Sequence, residues 1–256
     1  MNVAAGNPID PIEQFKVREL VPIHIGSLNL SFTNSSLFMV AVLAVVTLLM
    51  VVFTSGRNLV PGRTQAAAEM AYEFIANTLR STAGDAGMKF FPFVFSIFMF
   101  VLMCNLLGLL PYGFSVTAQI VVTFALAAVV ISLVILYGAY KHGFGFLKLF
   151  VPQGVHLALL PLIVLIEVIS FVSRPLTLSV RLFANMLAGH ILLAIFGGFV
   201  VVLLGSSSYG LKALAFLPFA MTTLMFAFEL LVAVLQAYVF AILTSVYLND
   251  AIHPGH

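Results

Sequence analysis

Two apolar stretches in the C-terminal half, residues 155–204 and 211–248, are too long to be upright membrane spans. A helix rises ~1.5 Å per residue, so the first would extend about 75 Å and the second about 57 Å, against a hydrocarbon core of ~30 Å. Each stretch must therefore break, or tilt well beyond the usual angle of about 20°. The turn signal GSSSYG separates them.

The rest of the chain is similarly apolar. Of its 256 residues 62% are hydrophobic and 8% are charged, which indicates an integral membrane protein built from helices. Further helices are predicted at about 37–53, 90–110 and 116–140. Residues 1–36 are polar and lack the basic start and early apolar core of a cleavable signal peptide. We therefore expect a polar N-terminal segment followed by one membrane domain over 37–256.

Residues 65–80 have a different pattern. Ala67, Met70, Phe74 and Ile75 recur at helical spacing, while Glu69 and Glu73 face elsewhere. This pattern predicts an amphipathic helix lying at the membrane surface, with a water-facing helix as the alternative.

The basic residues of the short loops predict the orientation. Cytoplasmic loops are enriched in Lys and Arg. One side of the predicted topology carries Arg57, Arg63, Arg80, Lys89, Lys141 and Lys148, whereas the other carries Lys212. The N-terminus is therefore expected outside and the C-terminal tail in the cytoplasm.

Several classes of function are disfavoured. The net charge is only +2 and the basic residues are scattered, so nucleic acid is not an expected partner. The glycines of KHGFGFLK lack the features of a phosphate-binding loop, and the histidines of the tail HPGH lack further metal ligands. We expect no cofactor, no metal and no catalytic site, so the energy source must be another subunit or an ion gradient.

Ionisable residues within the two long stretches carry the functional signal. Glu167, Arg174 and Arg181 are spaced by sevens, which on a helix returns a side chain to within about 20° of the same face. Asn185 lies four residues beyond Arg181 and extends this polar stripe. A charge at the bilayer centre costs ~2.5 kcal/mol or more, so such residues need partners, water or a function.

The second long stretch has a stripe of its own. Thr222, Glu229 and Gln236 are also spaced by sevens and share one helix face. The two stripes are expected to face each other or a shared watery cleft. The structural alternative is that Arg181 pairs with a carboxylate, that His190 and Glu229 form a hydrogen-bonded pair, and that these contacts only fix helix packing.

Proton transfer is the chemistry that these residues favour. An imidazole changes charge near neutral pH, so His190 and Glu229 together can relay protons. Arg181 remains protonated and acts as a fixed positive barrier rather than a relay. Arg174 and Glu167 are weaker candidates, because a turn near Pro175 would let Arg174 snorkel to an interface.

Three motifs resemble those of the subunit a family of F-type ATP synthases. They are NLLGLLP at 105–111, SRPLTLSVRLFANMLAGH at 173–190 and ELLVAVLQAYVFAILTSVYL at 229–248, in the family's order. The resemblance implies an all-α membrane protein whose two long C-terminal helices form a strongly tilted hairpin against the c-ring. The chain departs from some bacterial relatives at Gly108 and Gly113, where those carry acidic residues.

The resemblance also implies roles for individual residues. Arg181 matches the arginine that separates two half-channels, with Asn185 and Gln236 beside it. His190 and Glu229 match the titratable pair of the outer half-channel, and Glu167 a carboxylate toward the cytoplasmic exit. Arg174 falls on a position that is often basic.

Partners and location follow from the same resemblance. They are the c-ring, peripheral-stalk b-type subunits, the remaining ATP synthase complex and the lipid bilayer, in a bacterial cell inner membrane or a mitochondrial inner membrane. The alternatives are a secondary ion transporter or antiporter, which predicts inverted repeats that we do not find, and a structural membrane scaffold.

Overall fold

The structure is a computed structural model that describes residues 15–22, 24–25, 28–29, 31–54, 62–110, 113–151 and 159–253. Parts of several predictions lie outside the described residues: most of the N-terminal polar segment at 1–14, Arg57, Pro111, the start of the fifth predicted helix at 155–158, and the tail at 254–256. The side chain of Lys148 lies outside them as well.

Seven α-helices dominate the described part of the chain. They are α1 (Asn34–Thr54), α2 (Arg63–Gly87), α3 (Phe91–Gly108), α4 (Ile120–His142), α5 (Leu160–Leu204), α6 (Tyr209–Leu214) and α7 (Phe216–Ile252). Short 3₁₀ turns occur at Met88–Phe90, Val116–Ala118 and Gly143–Phe150. Five helical runs are long and apolar enough to cross a membrane. The predicted all-α membrane fold is confirmed.

Short strands precede α1. β1 (Glu19–Val21) pairs antiparallel with β4 (Phe32–Thr33), and β2 (His24–Ile25) pairs antiparallel with β3 (Leu28–Asn29). The hydroxyl of Thr33 accepts a hydrogen bond from the backbone N–H of Ser36 at 3.3 Å and so caps the start of α1. The sequence interpretation treated this region only as a polar segment.

Only part of the predicted apolar face of α2 is buried. Ile75 is fully buried against the core together with Leu79, whereas Met70 and Phe74 are exposed. The burial of Ile75 and Leu79 follows from packing of α2 against α3 and α7. The helix also extends past the predicted end at residue 80, with a kink at Gly84, whose φ of 64° favours glycine.

The start of α4 differs from the prediction of a helix from residue 116. Gln119 is extended, with φ −107° and ψ 114°, and it separates the 3₁₀ turn Val116–Ala118 from α4. Within that turn, Thr117 donates a hydrogen bond to Asn105 Oδ1 of α3 at 2.8 Å. This buried hydrogen bond holds Thr117 in the turn between α3 and α4.

The two long C-terminal helices form a hairpin, as predicted. α5 contains 45 residues and continues through Pro175, and α7 contains 37 residues. At ~1.5 Å per residue their lengths are about 68 Å and 56 Å, so each must tilt strongly to remain in a bilayer. Of the two possibilities left by the sequence, a break is excluded for α5, which is continuous.

The second of the two long apolar stretches, 211–248, is divided into two helices in the structure. α6 ends at Leu214, Ala215 forms a turn, and α7 begins at Phe216. Pro218 lacks a backbone N–H, and its ring would clash with the carbonyl of Leu214 four residues earlier in a continuous helix. The proline therefore explains the break.

α7 is the central helix of the fold and contacts α2, α3, α4 and α5. Its fully buried positions include Ala233, Ala237 and Ala241, whose small side chains allow neighbouring helices to approach closely. At its C-terminal end, the carbonyl of Ile252 accepts a hydrogen bond from Lys141 Nζ of α4 at 3.1 Å. The helix that carries Glu229 is thus fixed along its length.

Candidate functional site

His190 of α5 and Glu229 of α7 lie side by side in the hairpin. Both are buried, with 8% and 3% of their surfaces exposed, and His190 Nε2 is 3.6 Å from Glu229 Oε1. Neither oxygen of the Glu229 carboxylate has a hydrogen-bond partner among the described residues. A buried carboxylate without hydrogen bonds is costly. This imidazole and carboxylate are therefore placed to exchange a proton with each other or with entering water.

A cavity of about 400 Å³ opens beside Glu229. Its wall combines Glu229 and Asn185 with small and apolar residues, namely Ala188, Gly189, Leu192, Met225, Phe228 and Val232. The volume exceeds that of several water molecules. Glu229 thus borders a space between α5 and α7, although its carboxylate oxygens are themselves buried.

Gly189 makes the close approach of Glu229 possible. A Cβ atom at residue 189 would lie 2.7 Å from Glu229 Oε1 and 2.8 Å from its carboxyl carbon. Such contacts are shorter than side chains tolerate, so the absence of a side chain lets the carboxylate lie against the α5 backbone. The sequence reading did not single out this residue.

Asn185 and Gln236 form a second contact across the hairpin. Asn185 Nδ2 donates a hydrogen bond to Gln236 Oε1 at 3.1 Å. Gln236 is 3% exposed, and its Nε2 has no partner among the described residues. Of the two predicted polar stripes, the structure thus brings together only Asn185 and Gln236, while Glu229 of the second stripe lies opposite His190, which was not part of the first.

Arg181 lies on the exposed face of α5, one helical turn from Asn185. It forms no ion pair with any residue in the described ranges. The alternative that Arg181 pins the hairpin through a carboxylate of this chain therefore finds no support in the described residues. Arg181 is exposed on α5 and is therefore available to another molecule.

Arg174 has a different environment from Arg181. Its Nη1 lies 2.6 Å from Asp250 Oδ2 near the C-terminal end of α7, and its guanidinium stacks over the rings of Phe171 and Tyr247 at 5.5 and 5.1 Å. These contacts fasten α5 to α7. They do not link Arg174 to Glu167, and Asp250 was not identified from the sequence.

The remaining predicted residues lie apart from the His190–Glu229 pair. Glu167 is half-buried and forms no ion pair within the described part of the chain. Thr222 donates a hydrogen bond to the Pro218 carbonyl of its own helix at 2.8 Å. Thr222 lies on α7 with Glu229 and Gln236, as its spacing predicted. Its hydroxyl bonds within α7 and not to a described residue of α5.

Asn105 forms a buried polar contact that the sequence reading missed. It is fully buried, its Nδ2 donates to the Ala233 carbonyl at 3.1 Å, and its Oδ1 accepts from Thr117. Because Ala233 lies one turn after Glu229, this network fixes the part of α7 that carries the carboxylate. An amide within an apolar run, MCNLLG, was the only sequence signal.

Gly108 and Gly113 lie where side chains have little space. A Cβ at residue 113 would lie 2.4 Å from the Leu107 carbonyl oxygen, and one at residue 108 would lie 3.2 Å from the Cα of Ser115. The local backbone therefore excludes any larger residue at Gly113 without rearrangement. Close packing explains why glycine occupies this position.

Comparison with known proteins identifies the family. The profile of the family described as "ATP synthase A chain" matches residues 36–249. The chain belongs to this family. The resemblance inferred from the three motifs is confirmed.

Individual relatives agree over nearly the full chain. Proteins named "ATP synthase subunit a" are 64% identical over 247 residues in a Chelativorans species, covering 96% of this chain and 99% of the relative, and 62% identical over 252 residues in Mesorhizobium japonicum, covering 98% and 100%. The subunit of Brucella canis is 59% identical over 247 residues, covering 96% and 99%.

Proposed function

We propose that this chain is the stationary proton-channel subunit of an F-type ATP synthase. The observation that carries the proposal is the buried His190–Glu229 pair, which opens to a cavity and lies on the same hairpin as the outward-facing Arg181. The family assignment supports the same function. The chain contributes no catalytic site of its own and acts as a non-catalytic part of the complex.

His190 and Glu229 form the proton relay of the outer half-channel. Water that enters the cavity beside Glu229 delivers protons to the carboxylate, and the imidazole 3.6 Å away provides a second exchange site. Gly189 and the Asn185–Gln236 hydrogen bond hold the two helices at the spacing that this transfer requires.

Arg181 separates the two half-channels. A permanent positive charge repels a passing proton and attracts a carboxylate. A carboxylate of the c-ring is costly in lipid when charged and so is expected to be charged only near Arg181. The ring therefore carries its proton around the long way, and rotation accompanies proton flow.

On the other side of this barrier, Glu167 marks the exit to the cytoplasm. Its half-buried position on α5, two turns before Arg174 along the chain, supports this role. Arg174 itself acts in packing, because its guanidinium is already paired with Asp250. Thr222 remains a polar position of the outer side.

The surroundings follow from this function. The exposed apolar face of the hairpin, which includes Val180 beside Arg181 and Leu192 about three turns further along α5, faces the c-ring. Peripheral-stalk b-type subunits and lipid cover other helices. The chain lies in a bacterial inner membrane with its N-terminus outside and its C-terminus in the cytoplasm, the orientation that the basic loops favour.

The decisive experiment compares proton flux in vesicles that contain the complete complex with Arg181 or with Arg181→Ala. A potassium diffusion potential drives passive flux, and ATP drives coupled pumping. Arg181→Ala should abolish ATP-driven pumping while passive flux continues, because the barrier between half-channels is lost. Arg80→Ala is the matched control, since Arg80 lies on α2 with an exposed partner, Asp85.

Two results would contradict the proposal. Normal coupled pumping by an assembled Arg181→Ala complex would remove the arginine from the path. A loss of assembly without any change in proton flux per assembled complex, in both Arg181→Ala and Glu229→Gln, would favour the structural scaffold.

A further inference from the structure

A short N-terminal segment lies against the proposed proton relay. The ring of Phe15 is 6.0 Å from the ring of His190, centroid to centroid, at an interplanar angle of 75°. This edge-to-face arrangement is the one that aromatic pairs prefer. Phe15 is half-buried and packs against the main hydrophobic core. The imidazole therefore has Glu229 of α7 near its Nε2 and Phe15 against its ring.

The backbone around Phe15 is fastened at three successive points. The Phe15 carbonyl accepts a hydrogen bond from Gln119 Nε2 at 2.9 Å. Asn34 Nδ2 donates to the Lys16 carbonyl at 3.1 Å, and Asn34 Oδ1 accepts from the Arg18 backbone N–H at 3.1 Å. We call residues 15–18 the N-terminal strap. The side chains of Asn34, at the start of α1, and Gln119, just before α4, thus hold the backbone of the strap in place.

We propose that Phe15 is a positioning residue of the proton path: the N-terminal strap, fastened by Asn34 and Gln119, holds the Phe15 ring against His190 and keeps the imidazole turned toward Glu229. The inference rests on the proposed function and names a residue outside the hairpin that acts on its relay.

Packing, rather than hydrogen bonding, fixes the orientation of the His190 ring. His190 Nε2 has no hydrogen-bond partner among the described residues, and 3.6 Å from Glu229 is too long for one. Packing therefore has to fix the ring orientation. Glu229 is the only carboxylate of the described residues within 4 Å of the imidazole. Without Phe15, the ring can rotate away and water reaches a side chain that is now 8% exposed.

The strap also accounts for the positions of two polar residues, Gln119 and Asn34. Gln119 is the residue between the 3₁₀ turn and α4, and its side chain reaches back across 104 positions of sequence to Phe15. Asn34, at the start of α1, uses one side-chain oxygen to accept from the backbone N–H groups of both Ser35 and Arg18. Each helix start is thereby coupled to the strap.

The test uses the complete complex in vesicles and measures proton flux per assembled complex as a function of the outside pH. Phe15→Ala should lower flux roughly two- to tenfold, the range that an edge-on aromatic contact supports, and shift the pH of half-maximal flux by roughly 0.4 to 1 unit. Phe15→Tyr keeps the ring and should restore both values. Val17→Ala, on the same strap but half exposed, should match the unmodified complex.

Gln119→Ala provides a second variant that retains Phe15. It loosens the strap and should shift the half-maximal pH in the same direction as Phe15→Ala, so the inference remains testable if Phe15→Ala does not assemble. Wild-type flux and an unchanged half-maximal pH in the assembled variants would overturn it. A fall in flux with an unchanged half-maximal pH, or no recovery with Phe15→Tyr, would reduce Phe15 to a packing residue and also overturn it.

Arg181→Ala in the same vesicles distinguishes the two proposals. If Arg181→Ala uncouples the complex while Phe15→Ala has no effect, the strap inference fails alone. If Arg181→Ala leaves coupling intact, the proposed function fails whatever Phe15→Ala does.

Discussion

Gly189 lies directly against the carboxylate of Glu229, so that a methyl group at residue 189 would lie 2.7 Å from Oε1. The contact places the one buried carboxylate of the described hairpin against the backbone of the helix that carries His190. The absence of a side chain at residue 189 therefore allows Glu229 to lie close to the helix that carries His190.

Gly189→Ala is expected to impair proton flux. The methyl group forces Glu229 or the two helices apart, with a strain of about 1–3 kcal/mol, and separates the carboxylate from His190. Proton flux through the assembled complex in vesicles should fall strongly. Gly197→Ala on the same helix is the matched control, because no atom lies within 4 Å of a Cβ there. Equal flux in the two variants would show that the spacing at Gly189 is unimportant.

Asn185 and Gln236 are expected to be energetically coupled. Asn185→Ala leaves the buried Gln236 Oε1 without its donor, which should destabilise the complex by about 1–3 kcal/mol. Gln236→Leu alone and the double variant complete a cycle, with an expected coupling of about 0.6–1.7 kcal/mol. The thermal midpoint of the purified complex measures each value. Strictly additive effects would mean that the hydrogen bond contributes nothing.

Regular spacing within one helix was the strongest guide to this site. Glu229 and Gln236 recur every seven residues, and a helix returns such residues to one face whatever surrounds it. Length alone likewise predicted that neither long apolar stretch could stand upright as an unbroken helix. These two inferences needed only the geometry of a single helix, whereas the hairpin itself was implied by the family resemblance.

Contacts between distant segments were beyond such reasoning. Asp250 follows the apolar run of α7 and resembles the polar residues that commonly end such a helix, yet it pairs with Arg174. The same holds for Gln119 and Phe15, which no spacing rule connects. In α2 the predicted apolar face joined Ile75 to Met70 and Phe74, and packing against α7 determines that Ile75 is buried while the other two are exposed.

Asp250→Ala is expected to destabilise the hairpin. Arg174 would then be partly buried without its counter-ion, which should lower the stability of the complex by about 1–3 kcal/mol. The stacking of Arg174 on Tyr247 offsets this loss of stability only in part. The thermal midpoint of the complex should fall. Asp85→Ala is the matched control, because the Arg80–Asp85 pair is exposed and such pairs contribute little. A similar midpoint for both variants would show that the Arg174 pair is no stronger than a surface one.

Thr117→Val tests whether the buried amide of Asn105 fixes the Glu229 region of α7. The substitution retains the shape of the side chain but removes the hydrogen bond to Asn105 Oδ1, which leaves a fully buried acceptor unpaired. The cost should be about 1–3 kcal/mol and lower the thermal midpoint of the complex. Proton flux should fall with it, since Asn105 also holds the Ala233 carbonyl one turn after Glu229. Thr47→Val on α1 is the control, because that hydroxyl bonds only to the Leu43 carbonyl of its own helix. If both threonine variants behave alike, the network is dispensable and α7 is positioned by apolar packing alone.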